Sequence, residues 1–278
     1  MKHPAKWRET ADPFGLNYHD FELLEILGYP HAGNDVFHVK GLYQGKEVTS
    51  FIKIARSRYS GIDNEIRIMK QIDCPYAPQL IDYGLEKPEF IVTLEKEGER
   101  LSTIVSDNSE MESLSFMREY GETLAQIHSW NVNTDKWPDR KFHHEPGEEL
   151  LEKLELSHLK AFFADRPREG KECFCHGDFH YANILWEDHH INAILDFELA
   201  GRGNRDFDIA WALFRRPGQR FMKTDAEIEE FLAGYGSRAE YDRQSIRYYM
   251  AQCYVYFLEF SKDEEYSSYI RRWLELNT

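Results

Sequence analysis

The sequence turns on the segment His176-Gly177-Asp178-Phe179-His180-Tyr181-Ala182-Asn183 and on Asp196-Phe197-Glu198, which begins thirteen residues after Asn183. Between them lie the apolar run Ile184-Leu185-Trp186, a turn over residues 187–190, and the run Ile191-Asn192-Ala193-Ile194-Leu195. Two such runs around a short turn predict a β-hairpin. That hairpin brings Asn183 and Asp196 to one edge. Taken singly, each residue has an ordinary role: Asp178 and Asn183 as turn-formers, Asp196 as a helix cap. The joint spacing asks for a common purpose.

Phosphoryl transfer is a chemistry with these demands. The donor arrives as a polyanion with Mg²⁺, and catalysis consists mostly of positioning and charge neutralisation. Hard oxygens suit Mg²⁺, which takes one or two protein ligands and keeps several waters. Asp196 and Asn183 are placed to supply such oxygens. Asp178, on a glycine-containing loop, is left to orient an acceptor hydroxyl and take its proton.

The block from His176 to Ala210, read as HGDFHYAN and then DFELAGRGNRDFDIA, resembles the aminoglycoside phosphotransferase and choline kinase superfamily of small-molecule kinases. The resemblance implies a protein-kinase-like fold. By it, Asp178 is the catalytic aspartate, Asn183 and Asp196 are the magnesium ligands, and His176 and Asp208 support the catalytic region. An N-cap on the next helix is the alternative role for Asp208.

The pattern along the chain agrees with an α+β, two-lobed molecule. Short β-prone runs occur at Glu25–Leu27, Val36–Val39, Val48–Ile54, Gln79–Tyr83 and Phe90–Leu94, with one helical spacing at Gly61–Ile72. Helical patterns dominate afterwards: Met111–His128, Glu148–Ala164, Ile209–Phe214, Asp225–Tyr235, Tyr241–Phe260 and Ser267–Leu276. Residues 129–147 read as an irregular insertion. We expect residues 1–94 to form a small β-rich nucleotide-binding lobe and 95–99 a hinge. Residues 100–278 then form a helical lobe with the catalytic loop and the acceptor site.

The resemblance also asks for a lysine on an early strand and a glutamate on the following helix. Lys53 lies within the apolar strand Phe51-Ile52-Lys53-Ile54, and Glu65 follows twelve residues later. Lys53 would contact the α/β-phosphates while Glu65 fixes its direction; Glu47 and Glu25 are the rival acids. The loop Gly28-Tyr29-Pro30-His31-Ala32-Gly33-Asn34-Asp35 is not GxGxxG. It resembles the family's nucleotide loop through Gly33 and Asn34, although most two-glycine loops are simply turns. The adenine is expected against backbone groups of Thr93–Lys96, which includes Glu95 and Lys96.

Departures from protein kinases point to a small acceptor. Gly177 stands where their HRD motif has arginine, His180 where serine/threonine kinases usually have lysine, and Glu198 where DFG has glycine. Eleven residues separate Asp196 from Asp208, and no Ala-Pro-Glu follows. That leaves no room for a long activation segment and its peptide platform. His180 either helps position the transferred group or is a hydrogen-bonded loop histidine. A protein kinase and a nucleotide-binding module without turnover are the competing readings.

Composition narrows the partners. The 278 residues carry 34 basic and 49 acidic side chains, a net charge of −15, which argues against a nucleic-acid partner. Nearly all the acidic surplus falls after residue 94, where it could attract a cationic ligand or simply solvate helix faces. By the resemblance, Glu259, Asp263 and Glu264 would line an acceptor pocket; helix-start dipole partners are the plainer reading. The rings of Tyr248, Tyr249, Tyr254, Tyr256, Phe257 and Phe260 are either core or the wall of a quaternary-ammonium site. Cys173 and Cys175 read as two thiols on one face of a strand rather than a metal site.

No run approaches the ~20 apolar residues of a bilayer span, and no signal-peptide pattern opens the chain, so a cytoplasmic protein without a membrane partner is expected. The implied reaction is ATP-dependent (GTP remains open) and Mg²⁺-dependent phosphorylation of a small hydroxylated, cationic molecule. The oligomeric state is left open.

Overall fold

Gln44 and Gly45 both adopt positive φ, 51° and 74°, and so do Asp188 and His189, 47° and 67°. Two-residue turns of this hand match the twist of antiparallel strands. They close the hairpins of β2 (Asp35–Tyr43) on β3 (Lys46–Ile54), and of β8 (Ile184–Glu187) on β9 (His190–Ile194). The computed structural model describes residues 10–30, 33–57, 60–105, 113–167 and 170–278. It divides the chain into two compact units, residues 1–96 and 97–278.

In the first unit, β1 (Phe21–Gly28), β2, β3, β4 (Leu80–Gly84) and β5 (Phe90–Leu94) form one antiparallel sheet, ordered β1-β2-β3-β5-β4. Burial alternates along β2, so Phe37 and Val39 join Ile52, Ile54 and Val92 in the core. The helix α1 (Ile62–Met69) buries Ile62, Ile66, Ile68 and Met69. Its sequence spacing was legible, though it stops short of Ile72.

The second unit opens with β6 (Glu99–Arg100), which pairs with β8, followed by the short α2 (Leu101–Ile104). Next comes α3 (Leu114–His128); the expected start at Met111 lies outside the described residues. Glu148–Ala164 is not one helix. It is α4 (Glu148–Lys153) and α5 (Lys160–Ala164), joined by a 3₁₀ turn. Glu155 takes φ +59°, while its N–H donates to Glu152 O and that of Leu156 to Leu151 O. That is a Schellman stop, with buried Leu151 and Leu156 as its apolar contact. A glutamate at the position where glycine is usual hid it from the sequence.

Strand β7 (Glu172–Cys175) pairs with β10 (Gly201–Asn204), a stretch whose Gly-Arg-Gly-Asn sequence reads as loop. Four helices follow: α6 (Arg205–Leu213), α7 (Asp225–Gly236), α8 (Arg243–Phe260) and α9 (Glu264–Asn277). α3 and α7 cross at Gly121 and Gly234, where a Cβ would lie 2.0 Å from a backbone oxygen of the other helix. No helix among the described residues is long and apolar enough to cross a membrane.

The start of α7 is a polar joint. Thr224 and Glu227 form a capping box, and Glu227 also accepts the N–H groups of Met222 and Lys223 at 3.0 and 2.8 Å and the Ser113 hydroxyl. Burial pushes this carboxyl up, but the hydrogen bonds from Ser113, Thr224 and Lys223 more than reverse that and hold it low. A folded-state pKa held low contributes stability above the unfolded pKa, lost as pH falls through the folded value. Glu227→Gln should therefore cost about 2–3 kcal/mol at neutral pH. Thermal melts should show the gap from wild type closing as the pH drops below about 4.

Candidate active site

Within the first unit, Lys53 and Glu65 meet as expected. Lys53 sits on the central strand β3, opposite Val36 and Ile91. Its Nζ lies 2.8 Å from Glu65 Oε2, with the side chains 14% and 5% exposed. The rival Glu47 pairs with Lys40 at 2.7 Å, and Glu25 is exposed. Asn34 braces the loop: its Nδ2 donates to Ser60 O and its Oδ1 accepts from Arg56 N–H, both at 3.4 Å. Gly33 is exposed beside it; His31 and Ala32 lie outside the described residues. The N–H groups of Leu94 and Glu95 are spent on Gln79 O and Thr49 O. Lys96 donates its ammonium to Pro75 O at 2.7 Å.

Within the second unit, the β8–β9 hairpin does what its sequence implied. Ile184 lies opposite Ile194, and Leu195 N–H donates to Asn183 O at 2.8 Å. Asn183 therefore stands across from the residue that precedes Asp196. Its Nδ2 donates to Asp178 O at 3.0 Å and to Asp178 Oδ2 at 3.2 Å, which commits the amide's donor end to Asp178 and leaves Oδ1 as its acceptor end. Asp196 holds φ +70° and ψ 69°, a left-handed conformation that costs a non-glycine residue about 1 kcal/mol. It occupies the N-cap position of a 3₁₀ turn, Phe197–Leu199, without a capping side-chain bond.

The Asp178 carboxylate is held at both oxygens. Oδ1 accepts the indole N–H of Trp211 at 2.7 Å; Oδ2 faces Asn183 and lies 3.5 Å from His180 Nε2. Burial pushes its pKa up, but His180, the charge of Arg216 and the Trp211 N–H outweigh burial and hold Asp178 well below the usual carboxylate range. Burial drives His180 toward its neutral form. Its Nδ1 accepts Ala182 N–H at 3.2 Å, so the single proton sits on Nε2, toward Asp178. His180 is thus a loop brace that also caps the 3₁₀ turn Tyr181–Asn183.

Asp208 does not cap α6; Asn204 does, accepting from Asp206 and Phe207. Asp208 lies one turn further in, fully buried, and accepts His176 N–H and Gly177 N–H at 3.0 and 3.1 Å. His128 Nε2 is 3.1 Å away on the same carboxylate, and its Nδ1 is 2.7 Å from the Tyr235 hydroxyl. His176 accepts Asp178 N–H at Nδ1, 3.3 Å, and donates from Nε2 to Leu195 O, 3.1 Å. One neutral imidazole, kept so by burial, thereby ties the Asp178 loop to the strand leading into Asp196. Gly177 turns this loop at φ +76°, and a Cβ there would lie 2.2 Å from Leu199 O. No arginine fits that place.

Cys173 and Cys175 share a face of β7 with their sulfurs 3.7 Å apart, and His128 comes close to both. Since both His128 nitrogens have partners, the trio is a packed thiol pair against a structural histidine. Two of the acids expected to meet an acceptor also have partners. Glu259 accepts from Lys141 at 2.5 Å and Lys153 at 3.3 Å, Asp263 caps α9 through Tyr266 N–H, and Glu264 lies in the first turn of α9. Tyr248, Tyr254 and Tyr256 are core, and the cation over the rings of Tyr256 and Phe260 is the chain's own Lys141. Sequence reasoning missed Trp211, Arg140, Arg216 and His128. Trp211, Arg140 and His128 act through contacts across tens of residues, and Arg216, whose contacts with Trp211, Phe214 and Gln219 are local, matches no recognisable motif.

A sequence profile described as the phosphotransferase enzyme family, APH, matches residues 29–249. The chain belongs to this family. This phosphotransferase transfers phosphate to an alcohol group of a small molecule, and its α+β architecture is the family's protein-kinase-like fold. Among solved structures it is similar to the macrolide 2'-phosphotransferase MphH from Brachybacterium faecium, with 16% identity and a TM-score of 0.56 over 94% of both chains. It is also similar to APH(2")-IIa in its streptomycin–ATP ternary complex, with 14% identity and a TM-score of 0.57 over 91% of this chain and 92% of that one. The GDP complex of aminoglycoside 2'-phosphotransferase-IIIa aligns at 14% identity and a TM-score of 0.54, over 95% and 93%. A search of curated protein sequences returns no match.

Proposed function

We propose that this phosphotransferase is an ATP- and Mg²⁺-dependent kinase of a small hydroxylated, cationic molecule, with Asp178 as the catalytic carboxylate. The observation that carries the reading is the Asp178 carboxylate itself. N–H donors hold it at both oxygens, and the hairpin beside it ends in two oxygen ligands. Asn183 Oδ1 and the Asp196 carboxylate are hard donors of the kind Mg²⁺ prefers, and the Asn183 amide is already oriented by Asp178. These two residues would hold the ion, which supplies charge neutralisation on the transferring phosphates. Asp178 orients the acceptor hydroxyl and takes its proton as the oxygen attacks.

In the 1–94 lobe, Lys53 aligns the α/β-phosphates under the direction of Glu65, and Gly33 and Asn34 shape the loop that meets them. Residues 95–99 serve as the hinge, with carbonyls at Glu95 and Lys96 available to the base, and 100–278 supplies the acceptor site. The relatives' complexes with ATP and with GDP leave the choice of nucleotide to measurement. Lys53→Met should weaken nucleotide binding about tenfold by calorimetry. It should also lower the melting temperature, because Glu65 then keeps a buried charge without its lysine.

The acidic surplus after residue 94 favours a cationic acceptor, an aminoglycoside-like antibiotic or an amino alcohol. Glu259 would meet it by exchanging Lys141 and Lys153 for the acceptor's ammonium groups, with Asp263 and Glu264 near the start of α9. The test is acceptor-dependent release of ADP or GDP, with Mg²⁺, across aminoglycosides, macrolides, choline, ethanolamine, thiamine, homoserine and simple sugars. A cationic hit supports the reading. Turnover confined to neutral or anionic acceptors overturns the acceptor class.

A further inference from the structure

Arg216 is a buried cation that the fold holds at a cost. It is 8% exposed, its Nη1 is buried without a hydrogen-bond partner, and no carboxylate lies within ion-pair distance among the described residues. Its Nη2 donates to Trp211 O at 2.9 Å, and its backbone N–H to Gln219 Oε1 at 3.0 Å. The opposite charge that acts on it most strongly is that of Asp178. A buried charge without an ion-pair partner costs several kcal/mol, and a well-packed apolar replacement is often neutral or stabilising. Packing alone gives no reason to keep an arginine here.

The guanidinium lies over the Trp211 ring, 5.0 Å from its centroid, and over that of Phe214 at 4.4 Å. A second guanidinium, that of Arg140, lies over the same indole at 4.5 Å. Arg140 is fixed in turn: Nη2 donates to Gly177 O at 2.7 Å and Nε to His143 Nε2 at 3.3 Å. Burial and the Arg140 charge push the His143 pKa down to about 3, so that nitrogen keeps the lone pair that accepts. Trp211, 5% exposed, then has one polar atom left to place. Its Nε1–H donates to Asp178 Oδ1.

We propose that Trp211 is the positioning residue of Asp178, and that Arg140 and Arg216 are retained to brace its indole by cation–π contact and by their hydrogen bonds to Gly177 O and Trp211 O. The inference rests on Asp178 being the catalytic carboxylate. With the indole on one oxygen and Asn183 on the other, the carboxylate cannot rotate, so the lone pairs that remain for the acceptor hydroxyl point one way. Misplacement of a reacting group by about 1 Å costs on the order of a hundredfold, which is the benefit set against the buried charge.

The test compares Trp211→Phe, Arg216→Met and Arg216→Lys, using the best acceptor from the panel, melting temperature, and the indole N–H spectrum of ¹⁵N-tryptophan-labelled protein. Trp211→Phe keeps an aromatic ring and removes the donor. It should lower kcat by about ten- to a hundredfold with nucleotide KM unchanged. Arg216→Met should keep or raise the melting temperature, shift the Trp211 indole resonance, and lower kcat at least about tenfold; Arg216→Lys should recover part of that loss. Wild-type kcat in Trp211→Phe overturns the proposal. So does an Arg216→Met protein that melts lower while its kcat and Trp211 resonance stay as in wild type. Failure of the underlying reading looks different: Asp178→Asn would retain turnover while its Trp211 resonance still moved.

Discussion

Asp178→Asn should lower turnover by about 10²–10⁴-fold while leaving nucleotide affinity close to wild type by calorimetry. The carboxylate accepts from Trp211 at one oxygen and faces N–H donors of Asn183 and His180 at the other. An asparagine can satisfy only one side. If its oxygen keeps the indole, its NH₂ meets the NH₂ of Asn183, and the side chain also loses the basicity proposed to take the acceptor proton. The loss should therefore appear in kcat, because the interaction removed matters most as the hydroxyl oxygen attacks. Lys53, the proposed phosphate contact, belongs to the other unit and keeps its partner Glu65. A variant that turns over at the wild-type rate would remove Asp178 from the mechanism.

Asp208→Ala is the second large effect, and it is one of stability. The fully buried carboxylate accepts from His176 N–H and Gly177 N–H, with His128 Nε2 also at 3.1 Å. Removing it strands three buried donors at once, at a cost of about 3–5 kcal/mol. It also frees the loop that carries Asp178. Chemical denaturation should show the loss of stability, and any protein that remains folded at low temperature should turn over poorly. An alanine variant as stable as wild type would mean that the loop is anchored elsewhere.

The contrast between these two residues shows which features of the site can be read from sequence. Asn183 and Asp196 flank a hairpin whose two strands and turn are contiguous, so spacing alone places them on one edge, and Asp178 lies on the loop that leads into it. Lys53 and Glu65 are similarly close, one strand and one helix apart. The role of Asp208 could be placed in the catalytic region by resemblance, but its partners could not. They come from α3 and the loop after β7, and the N-cap alternative was equally consistent with its position until Asn204 was seen to hold it.

Trp211 and Arg140 were invisible for the same reason, and Arg216 because its burial over the Trp211 and Phe214 rings leaves no mark in the local pattern. Within α6 a tryptophan is an ordinary core residue, and Arg140 falls in a stretch read as an irregular insertion. Glu259 illustrates the converse: an acid in an acidic stretch looks available until Lys141, 118 residues away, is found on it. Local periodicity predicted the elements well where capping was conventional. It failed at Glu155, where a left-handed glutamate stops α4.

The central claim is transfer of the γ-phosphoryl group to a small hydroxylated molecule through Asp178. The direct measurement uses γ-³²P-labelled ATP and GTP with Mg²⁺ and a cell extract separated by ultrafiltration into small molecules and proteins. We predict label in acid-stable phosphomonoesters of the small-molecule fraction with wild-type protein, and its absence with Asp178→Asn. Label appearing in the protein fraction instead, or unchanged in the variant, would contradict the account.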